Sequence, residues 1–240
     1  MRIPATLAVL ALAALPAAIS RADPAPVDTD TERYFLVFLR PDPERKPIEQ
    51  PERERIMNAH MANIHKMAED GILVAAGPME DKATTISGVF IFKADSLAEA
   101  GRIASLDPTV TGKRNKVDVH PWLAPKGIGA AYSQWKKENP NAEDAMAVHP
   151  FCILRRGPAW KDDAQSDDAH ARFVDSLRRA GALAAAGGVE GDPDMLEICV
   201  FKAPSVDEAQ QAIARDPAVQ SGRIAAEFHR WWTADRVLPW

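Results

Sequence analysis

The feature that most constrains the fold of this chain is an internal repeat. Residues 60–77 and 170–187 align at a constant offset of 110 residues. This offset superimposes four residues of each copy: His60, Gly71, Leu73 and Gly77 on His170, Gly181, Leu183 and Gly187. Further along, an offset of 109 superimposes two Phe-Lys-Ala segments, two Asp-Pro pairs and two His-x-Trp segments. One deleted residue in the turn between Gly77 and Ser87 explains the change of offset, so the chain is predicted to fold twice in the same way.

Each copy has the pattern β-α-β-β-α-β. In the first copy we predict strands at 34–39, 72–76, 89–93 and 116–119, a helix that ends at Asp70, and a second helix at 96–106. The second helix begins with a capping box in both copies, Ser96-x-x-Glu99 and Ser205-x-x-Glu208. This order predicts an α+β fold of two ferredoxin-like halves, each an antiparallel sheet with two helices on one face. Since each sheet leaves its other face bare, the two sheets are predicted to pack together as an internal pseudo-dimer.

The domain organisation follows from the repeat and from its flanks. Residues 1–22 carry Arg2 and a short, Ala-rich apolar run, which predicts a signal peptide cleaved after Ala22 or Ser20 rather than a membrane anchor. We predict the remaining segments as a flexible lead-in at 23–32, a first domain at 33–123, a linker at 124–147 with a short helix near 132–137, and a second domain at 148–240. The protein is therefore expected to be exported, periplasmic or secreted, with no membrane attachment after cleavage.

The charge balance excludes a nucleic-acid partner. The chain has 29 basic and 34 acidic side chains, a net charge of −5, whereas phosphate neutralisation requires a basic face. The sequence shows no nucleophile motif and no Gly-rich phosphate loop, and His65 lies five residues after His60, not the four that a shared helical metal site needs. We therefore predict a small-molecule ligand and no cofactor or metal.

A histidine and an aspartate are the candidate functional residues of each copy. His60 shares the inward face of the first helix with Ile64, and Asp107 closes the second helix just before a proline. Because the two helices are antiparallel on one sheet face, the two side chains are expected to meet, and His170 and Asp216 repeat the arrangement. A carboxylate on one imidazole nitrogen leaves the other free as a general acid or base, but such a pair can also be purely structural.

The two cysteines occupy neighbouring strands of the second copy. Cys152 lies on its first strand and Cys199 on its third, at the positions of Val37 and Phe90 in the first copy. Export permits a disulfide to persist. The sequence leaves two alternatives: a cross-strand disulfide, or two buried thiols in place of an apolar pair.

These residues resemble the YciI-like (YCII-related) family. The resemblance covers roughly 34–122 and 149–232 and rests in the first copy on the inward His60, Gly71-x-Leu73, Ala76-Gly77-Pro78-Met79, Asp107-Pro108 and Pro121-Trp122. The second copy departs from the pattern: Gly188 and Val189 replace Pro-Met, and Arg230 replaces Pro121.

The resemblance implies a dimeric α+β barrel, here formed within one chain, in which His60 pairs with Asp107 and His170 with Asp216. The family includes a dehydrochlorinase of a chlorinated hydroxyhydroquinone, and its fold is similar to that of muconolactone isomerase. Many relatives have an arginine three residues before the histidine, where this chain has Met57 and Asp167. If an anionic substrate is held by an arginine here as well, Arg53 or Arg55 is the candidate to replace the missing one.

Two functions remain open at this point. In the first, both copies are small-molecule lyase or isomerase sites in which His60 and His170 are the general acid/base and Asp107 and Asp216 orient them. In the second, the chain is a non-catalytic ligand-binding or assembly module and both pairs are structural.

Overall fold

The computed structural model of the protein describes residues 30–80 and 85–239. The predicted signal peptide, residues 1–22, and residues 23–29 of the predicted lead-in lie outside the described residues. The elements of the first repeat are β1 (Thr31–Pro41), α1 (Gln50–Glu69), β2 (Leu73–Pro78), β3 (Gly88–Phe92), α2 (Leu97–Ser105), α3 (Pro108–Thr111) and β4 (Asn115–Pro125). A connecting helix, α4 (Ala130–Glu138), follows. The second repeat comprises β5 (Met146–Arg156), α5 (Ala164–Arg179), β6 (Leu183–Val189), β7 (Met195–Phe201), α6 (Val206–Ile213), α7 (Pro217–Gln220) and β8 (Ile224–Ala234).

The helix ends follow the local sequence closely. Gly71 adopts φ 75°, the left-handed conformation that terminates a helix, directly after the C-cap of α1. Ser96 accepts a hydrogen bond from the backbone N–H of Glu99 and so caps α2, as the capping box predicts. Asp107 does more than end α2: it is the N-cap of the one-turn helix α3, with Pro108 in the first turn, where a missing N–H costs nothing.

The eight strands form one antiparallel sheet in the order β2-β3-β1-β4-β6-β7-β5-β8. The two predicted four-stranded halves are thus joined edge to edge through β4 and β6, where Trp122 pairs with Val189. The outer strands β2 and β8 also meet, through a bridge between Met79 and Trp231. The sheet is therefore a nearly closed barrel, and the predicted α+β fold of two ferredoxin-like halves is confirmed.

The strands that join the halves are longer than the sequence pattern predicts. β4 extends beyond 116–119 to Pro125 because its second part pairs with the start of β1, where Thr31 lies opposite Pro125. Thr31 and Glu32 therefore belong to β1 and not to the predicted flexible lead-in. β4 ends at Pro125 and β5 begins at Met146, so the connection between the repeats is shorter than the predicted linker at 124–147, and α4 lies within it.

The inner faces of the two halves pack against each other inside the barrel. This core contains five of the largest fully buried side chains, namely Tyr34, Phe38, Trp122, Phe151 and Trp231. Trp122 Nε1 donates to the backbone oxygen of Gly187 at 2.9 Å, and Trp231 Nε1 donates to that of Gly77 at 3.3 Å. The two tryptophans thus fasten the two junctions in the same way, as expected of an internal repeat.

Gly77 and Gly187 let the junctions close. A Cβ on Gly77 would lie 1.5 Å from the backbone oxygen of Trp232, and one on Gly187 would lie 2.0 Å from that of Leu123. No side chain fits such a gap, so glycine at both positions is a requirement of the closed sheet.

Of the two alternatives for the cysteines, the structure has the free thiols. Cys152 and Cys199 lie opposite each other on the neighbouring strands β5 and β7, as predicted, but both are unbonded and buried. Their side chains belong to the apolar cluster beneath the helices, and Cys199 Sγ lies 3.7 Å from Glu197 Oε1. Adjacent strands alone do not impose the sulfur geometry of a disulfide, and the structure has the second alternative, a packed pair of thiols whose pKa values burial raises.

Candidate active site in the first copy

The structure brings His60 and Asp107 together. His60 lies in the third turn of α1, and its Nδ1 is 2.9 Å from Asp107 Oδ1 and 2.8 Å from Oδ2. The Asp107 carboxylate is fully buried, whereas the His60 side chain is 12% exposed. A carboxylate at Nδ1 accepts the proton of that nitrogen, so the lone pair of the neutral ring lies on Nε2.

Asp107 is held by more than the histidine. It accepts hydrogen bonds from Asn63 Nδ2 at 3.0 Å, from the backbone N–H of Thr109 at 2.9 Å and from Thr109 Oγ1 at 2.6 Å. Burial raises the pKa of Asp107, but the hydrogen bonds from His60 and Thr109 outweigh it, so the pKa lies below its ordinary value. The carboxylate is therefore ionised at neutral pH and keeps its negative charge beside the imidazole.

A chain of polar side chains extends this network away from the imidazole. Ser87 Oγ donates to Asn115 Oδ1 at 3.0 Å, and Asn115 Nδ2 donates to Thr109 Oγ1 at 3.1 Å. Thr109 Oγ1 in turn donates to Asp107. Each donor in the chain has one acceptor, so the orientation of the buried carboxylate is fixed from behind.

The second imidazole nitrogen of His60 is open. Among residues 30–80 and 85–239 the structure gives Nε2 no hydrogen-bond partner, and the ring stacks on Phe90 with centroids 5.9 Å apart and planes inclined by 26°. His60 lines a cavity of about 1350 Å³ between α1, the strands β2 and β3, and the connecting helix α4. Gly88 and Phe90 of β3 lie on the same wall. The arrangement can therefore take a proton from a molecule in this cavity, or give one to it.

The pair in the second copy is also formed, but its imidazole has a second partner. His170 Nδ1 is 2.6 Å from Asp216 Oδ2, and His170 Nε2 is 3.0 Å from Glu197 Oε2. Burial alone lowers the pKa of His170, but its contacts with the two carboxylates raise it to about 9. The ring is therefore a protonated bridge between two acidic side chains at neutral pH, and a neighbouring cavity of about 610 Å³ has no free imidazole nitrogen to meet.

The repeat alignment shows which residues make this difference. Gly88 of the first copy stands where Glu197 stands in the second, and the polar residues around Asp107 have apolar counterparts. Asn63, Thr109 and Asn115 correspond to Phe173, Ala218 and Ile224. Sequence reasoning missed Glu197 as a partner of His170, although the offset of 109 already pairs a glycine with a glutamate on the strand that faces the histidine.

The remaining candidates of the first copy have distinct places. Among the described residues no group of three His, Cys, Asp or Glu side chains forms a metal site, and His65 lies exposed on α1. Arg53 lines the cavity of His60, whereas Arg55 pairs with Glu52 at 2.7 Å on the exposed side of the helix. In the described part of the chain, no helix has both the length and the apolarity required to cross a membrane.

Solved structures with this architecture define the class of fold. A variant of chlorite dismutase from Candidatus Nitrospira defluvii has a TM-score of 0.54 and 10% identity, over 88% of this chain and 93% of that one. A proposed chlorite dismutase, TA0507, has a TM-score of 0.52 and 7% identity, over 84% and 94%. A proposed monooxygenase from Lactobacillus acidophilus NCFM has a TM-score of 0.46 and 16% identity, over 84% and 93%. At these identities the first two show the fold alone, a dimeric α+β barrel.

The family of the chain is shown by its sequence. The family model of the YCII-related domain matches residues 34–123 and again residues 131–228. The chain therefore belongs to the YCII-related domain family and carries two tandem copies of the domain. No curated protein matches the chain significantly.

Proposed function

We propose that this chain is an exported enzyme whose first copy is a small-molecule lyase or isomerase site, with His60 as the general acid/base and Asp107 as the residue that orients it. The observation that carries the proposal is the open Nε2 of His60 on the cavity, with Nδ1 held by a buried, ionised carboxylate. Residues 1–22 support the export part of the proposal.

The proposed chemistry is proton transfer at carbon. The lone pair of His60 Nε2 takes a proton from a carbon next to a carbonyl group, and the C–H electron pair moves into a new double bond. In a lyase reaction, a leaving group on the adjacent carbon departs with its bonding electrons. In an isomerase reaction, the imidazolium returns the proton to another carbon. Asp107 stabilises the imidazolium while it exists, and a positioned histidine of this kind contributes about 10²–10⁴-fold to a rate.

We propose a different role for the second pair. His170 has a carboxylate on each ring nitrogen, so it can neither accept a proton nor donate one without breaking an ion pair. This observation favours the structural reading of the His–Asp pair in the second copy only. His170, Asp216 and Glu197 then join α5, the start of α7 and β7 beneath the sheet.

The two copies provide a matched test. The chain is incubated in D₂O with a panel of small carbonyl compounds that carry an acidic C–H, half of them with a leaving group on the neighbouring carbon. Mass spectrometry then detects deuterium uptake or loss of the leaving group. We expect His60→Gln to lower the rate by about 10²-fold or more, and His170→Gln to leave it close to that of the unchanged protein at neutral pH and moderate temperature. Equal rates for His60→Gln and the unchanged protein refute the role of His60.

A further inference from the structure

The charged side chains that line the cavity beside His60 are mainly cations, in a protein that is acidic overall. Six arginine and lysine side chains line it, against two acidic ones, whereas the cavity beside His170 has two against three. Of the lysines, Lys93 is paired with Glu32 at 3.1 Å and Lys136 with Asp144 at 2.9 Å. The excess of positive charge therefore lies with Lys137 and the three arginines.

Three arginines form most of the unbalanced part of this lining: Arg45, Arg53 and Arg114, named here the arginine cluster. Arg114 Nη1 donates to the backbone oxygen of Lys46 at 2.5 Å, which brings its guanidinium group next to the loop that carries Arg45. Gly112, two residues before Arg114, faces Ile56 in the turn of α1 that follows Arg53. Within the described ranges, none of the three guanidinium groups has a carboxylate within the 4.0 Å of an ion pair.

In the second copy a carboxylate neutralises the arginine that corresponds to Arg114. Arg223, the counterpart of Arg114, donates in the same way to the backbone oxygen of Lys161, at 2.6 Å. It also donates to the carboxylate of Asp167 at 3.0 Å. The counterpart of Asp167 in the first copy is Met57, so Arg114 keeps the carbonyl contact and lacks the acid.

A second acidic position has changed along with the first. Asp163, the N-cap of α5, corresponds to Arg53 of the first copy. The same end of the cavity has therefore lost two carboxylates and gained one guanidinium group relative to its repeat. Of the three arginines Arg114 is half-buried, whereas Arg45 and Arg53 are exposed. A half-buried guanidinium group without a counter-ion costs free energy, and an anionic ligand at Arg114 removes that cost.

The distance from the cluster to the imidazole suits a small molecule. Arg53 precedes His60 by seven residues, which is two turns of α1 on one face and about 10 Å along the helix axis. Ile56 and Met57 form the apolar wall between the two ends. A ligand that spans them has an anionic group at one end, an apolar body, and the reacting C–H at the other end.

We propose that the arginine cluster binds the carboxylate of the substrate, so that the site takes small organic carboxylates with an apolar body. Carboxylates fit the planar guanidinium fork, which binds them through two parallel hydrogen bonds. The inference rests on the proposed function, since it is His60 that makes the bound molecule a substrate. It adds the substrate class and the residues that select it.

Binding of phenylacetate tests the cluster without any turnover. Amide signals of the ¹⁵N-labelled chain are followed by NMR during titration with phenylacetate, with the neutral phenylacetamide, and with phenyl phosphate. We expect phenylacetate to bind about tenfold more tightly than phenylacetamide and more tightly than phenyl phosphate, with an affinity that falls as NaCl is added. The shifted signals should lie around Arg53 and Arg114.

The variants are taken from the repeat itself. Met57→Asp installs the carboxylate of Asp167 at an exposed position, and Arg53→Gln removes one cation of the cluster. Both are expected to weaken phenylacetate binding about tenfold. Arg55→Gln is the matched control, because it removes one arginine from the same helix at a position that does not line the cavity.

The outcomes separate the cluster from the catalytic proposal. Equal affinity for phenylacetate and phenylacetamide, or unchanged phenylacetate binding in both Arg53→Gln and Met57→Asp, refutes the anion site. Tighter binding of phenyl phosphate refutes the carboxylate class. Phenylacetate binding that survives in His60→Gln supports the cluster, and if turnover of the carbonyl panel also survives in that variant, the proposed function fails while the cluster stands.

Discussion

The most direct prediction concerns His170, whose two carboxylate partners make folding depend on pH. In the folded protein the pKa of His170 is raised from 6.5 to about 9, although burial alone acts in the opposite direction. The folded protein therefore holds this proton more tightly than the unfolded chain does. The stabilisation is complete below about pH 6.5 and is lost as the pH rises through about 9.

The magnitude follows from the two pKa values. Their difference corresponds to about 3 kcal/mol of the free energy of unfolding. For a protein of this size that equals a change in melting temperature of roughly 6–12 °C. Because the His170 side chain is only 14% exposed, water screens the two contacts little.

The test compares the unchanged protein with His170→Gln in urea unfolding at intervals from pH 6 to pH 10, followed by circular dichroism. Other groups titrate in this range, so the quantity of interest is the difference in the free energy of unfolding between the two proteins. We expect this difference to be largest at pH 6 and to shrink by about 3 kcal/mol towards pH 10. Glu197→Gln, which keeps the histidine and removes one partner, should show a smaller pH dependence than the unchanged protein.

His65→Gln serves as the control for loss of a histidine, because His65 lies exposed on α1. Its unfolding curve should follow that of the unchanged protein at every pH. If the difference between the unchanged protein and His170→Gln stays constant from pH 6 to pH 10, His170 is not a protonated bridge, and the structural role proposed for the second pair is wrong.

Three further predictions concern the barrel, the first pair and the cysteines. Gly77→Ala should lower the free energy of unfolding by about 3 kcal/mol or more, because the new Cβ meets a backbone oxygen of β8. Gly101→Ala, in α2 with open space around it, should raise the free energy of unfolding by about 0.5–1 kcal/mol, and chemical denaturation measures both. Asp107→Asn should lower the free energy of unfolding by roughly 3 kcal/mol at pH 7 and by much less in acid. The pKa of Asp107 is lowered in the folded protein, so the stability that its charge contributes is lost as the pH falls through that pKa. Equal losses at pH 7 and pH 3 contradict this prediction. Cys152 and Cys199 should both take up iodoacetamide without reductant once the chain is unfolded and resist it while folded, as measured by intact mass; an unmodified mass after unfolding indicates a disulfide.

The repeat made the fold largely predictable, because each half had to bury the same sheet face. The contact of His60 with Asp107 could also be predicted, since it follows from the antiparallel helices of the βαββαβ pattern. The junctions were not, because the pairing of Trp122 with Val189 joins positions on strands from different copies. Periodicity within a strand shows which face is buried, but it does not show where pairing with a distant strand stops.

The difference between the two sites was harder to predict than their positions. Each copy has its histidine and aspartate, so the motif alone assigns both the same role. Glu197 changes that role from the opposite side of the ring, and it lies on a strand where an alternating pattern only suggests an inward or outward residue. The cysteines show the same limit, because strand order predicted their proximity and could not predict the direction of each sulfur.

The two His–Asp sites differ in their backbone surroundings as well as in their side chains. In the first copy Gly88 pairs with Pro78, and a Cβ on Gly88 would lie 2.9 Å from the backbone oxygen of Gly77. A glutamate that occupied the free nitrogen of His60 therefore requires β2 to shift. In the second copy the paired residues are Gly188 and Glu197, and the exchange of proline for glycine coincides with the arrival of a side chain on the facing strand.

The departure of Gly188 from the family pattern and the presence of Glu197 thus fall on one pair of facing residues in the second copy. In this chain the copy with glycine at position 88 keeps its imidazole open, whereas the copy with a glutamate at the corresponding position closes it. The repeated His–Asp pair therefore does not by itself identify an active site in this protein.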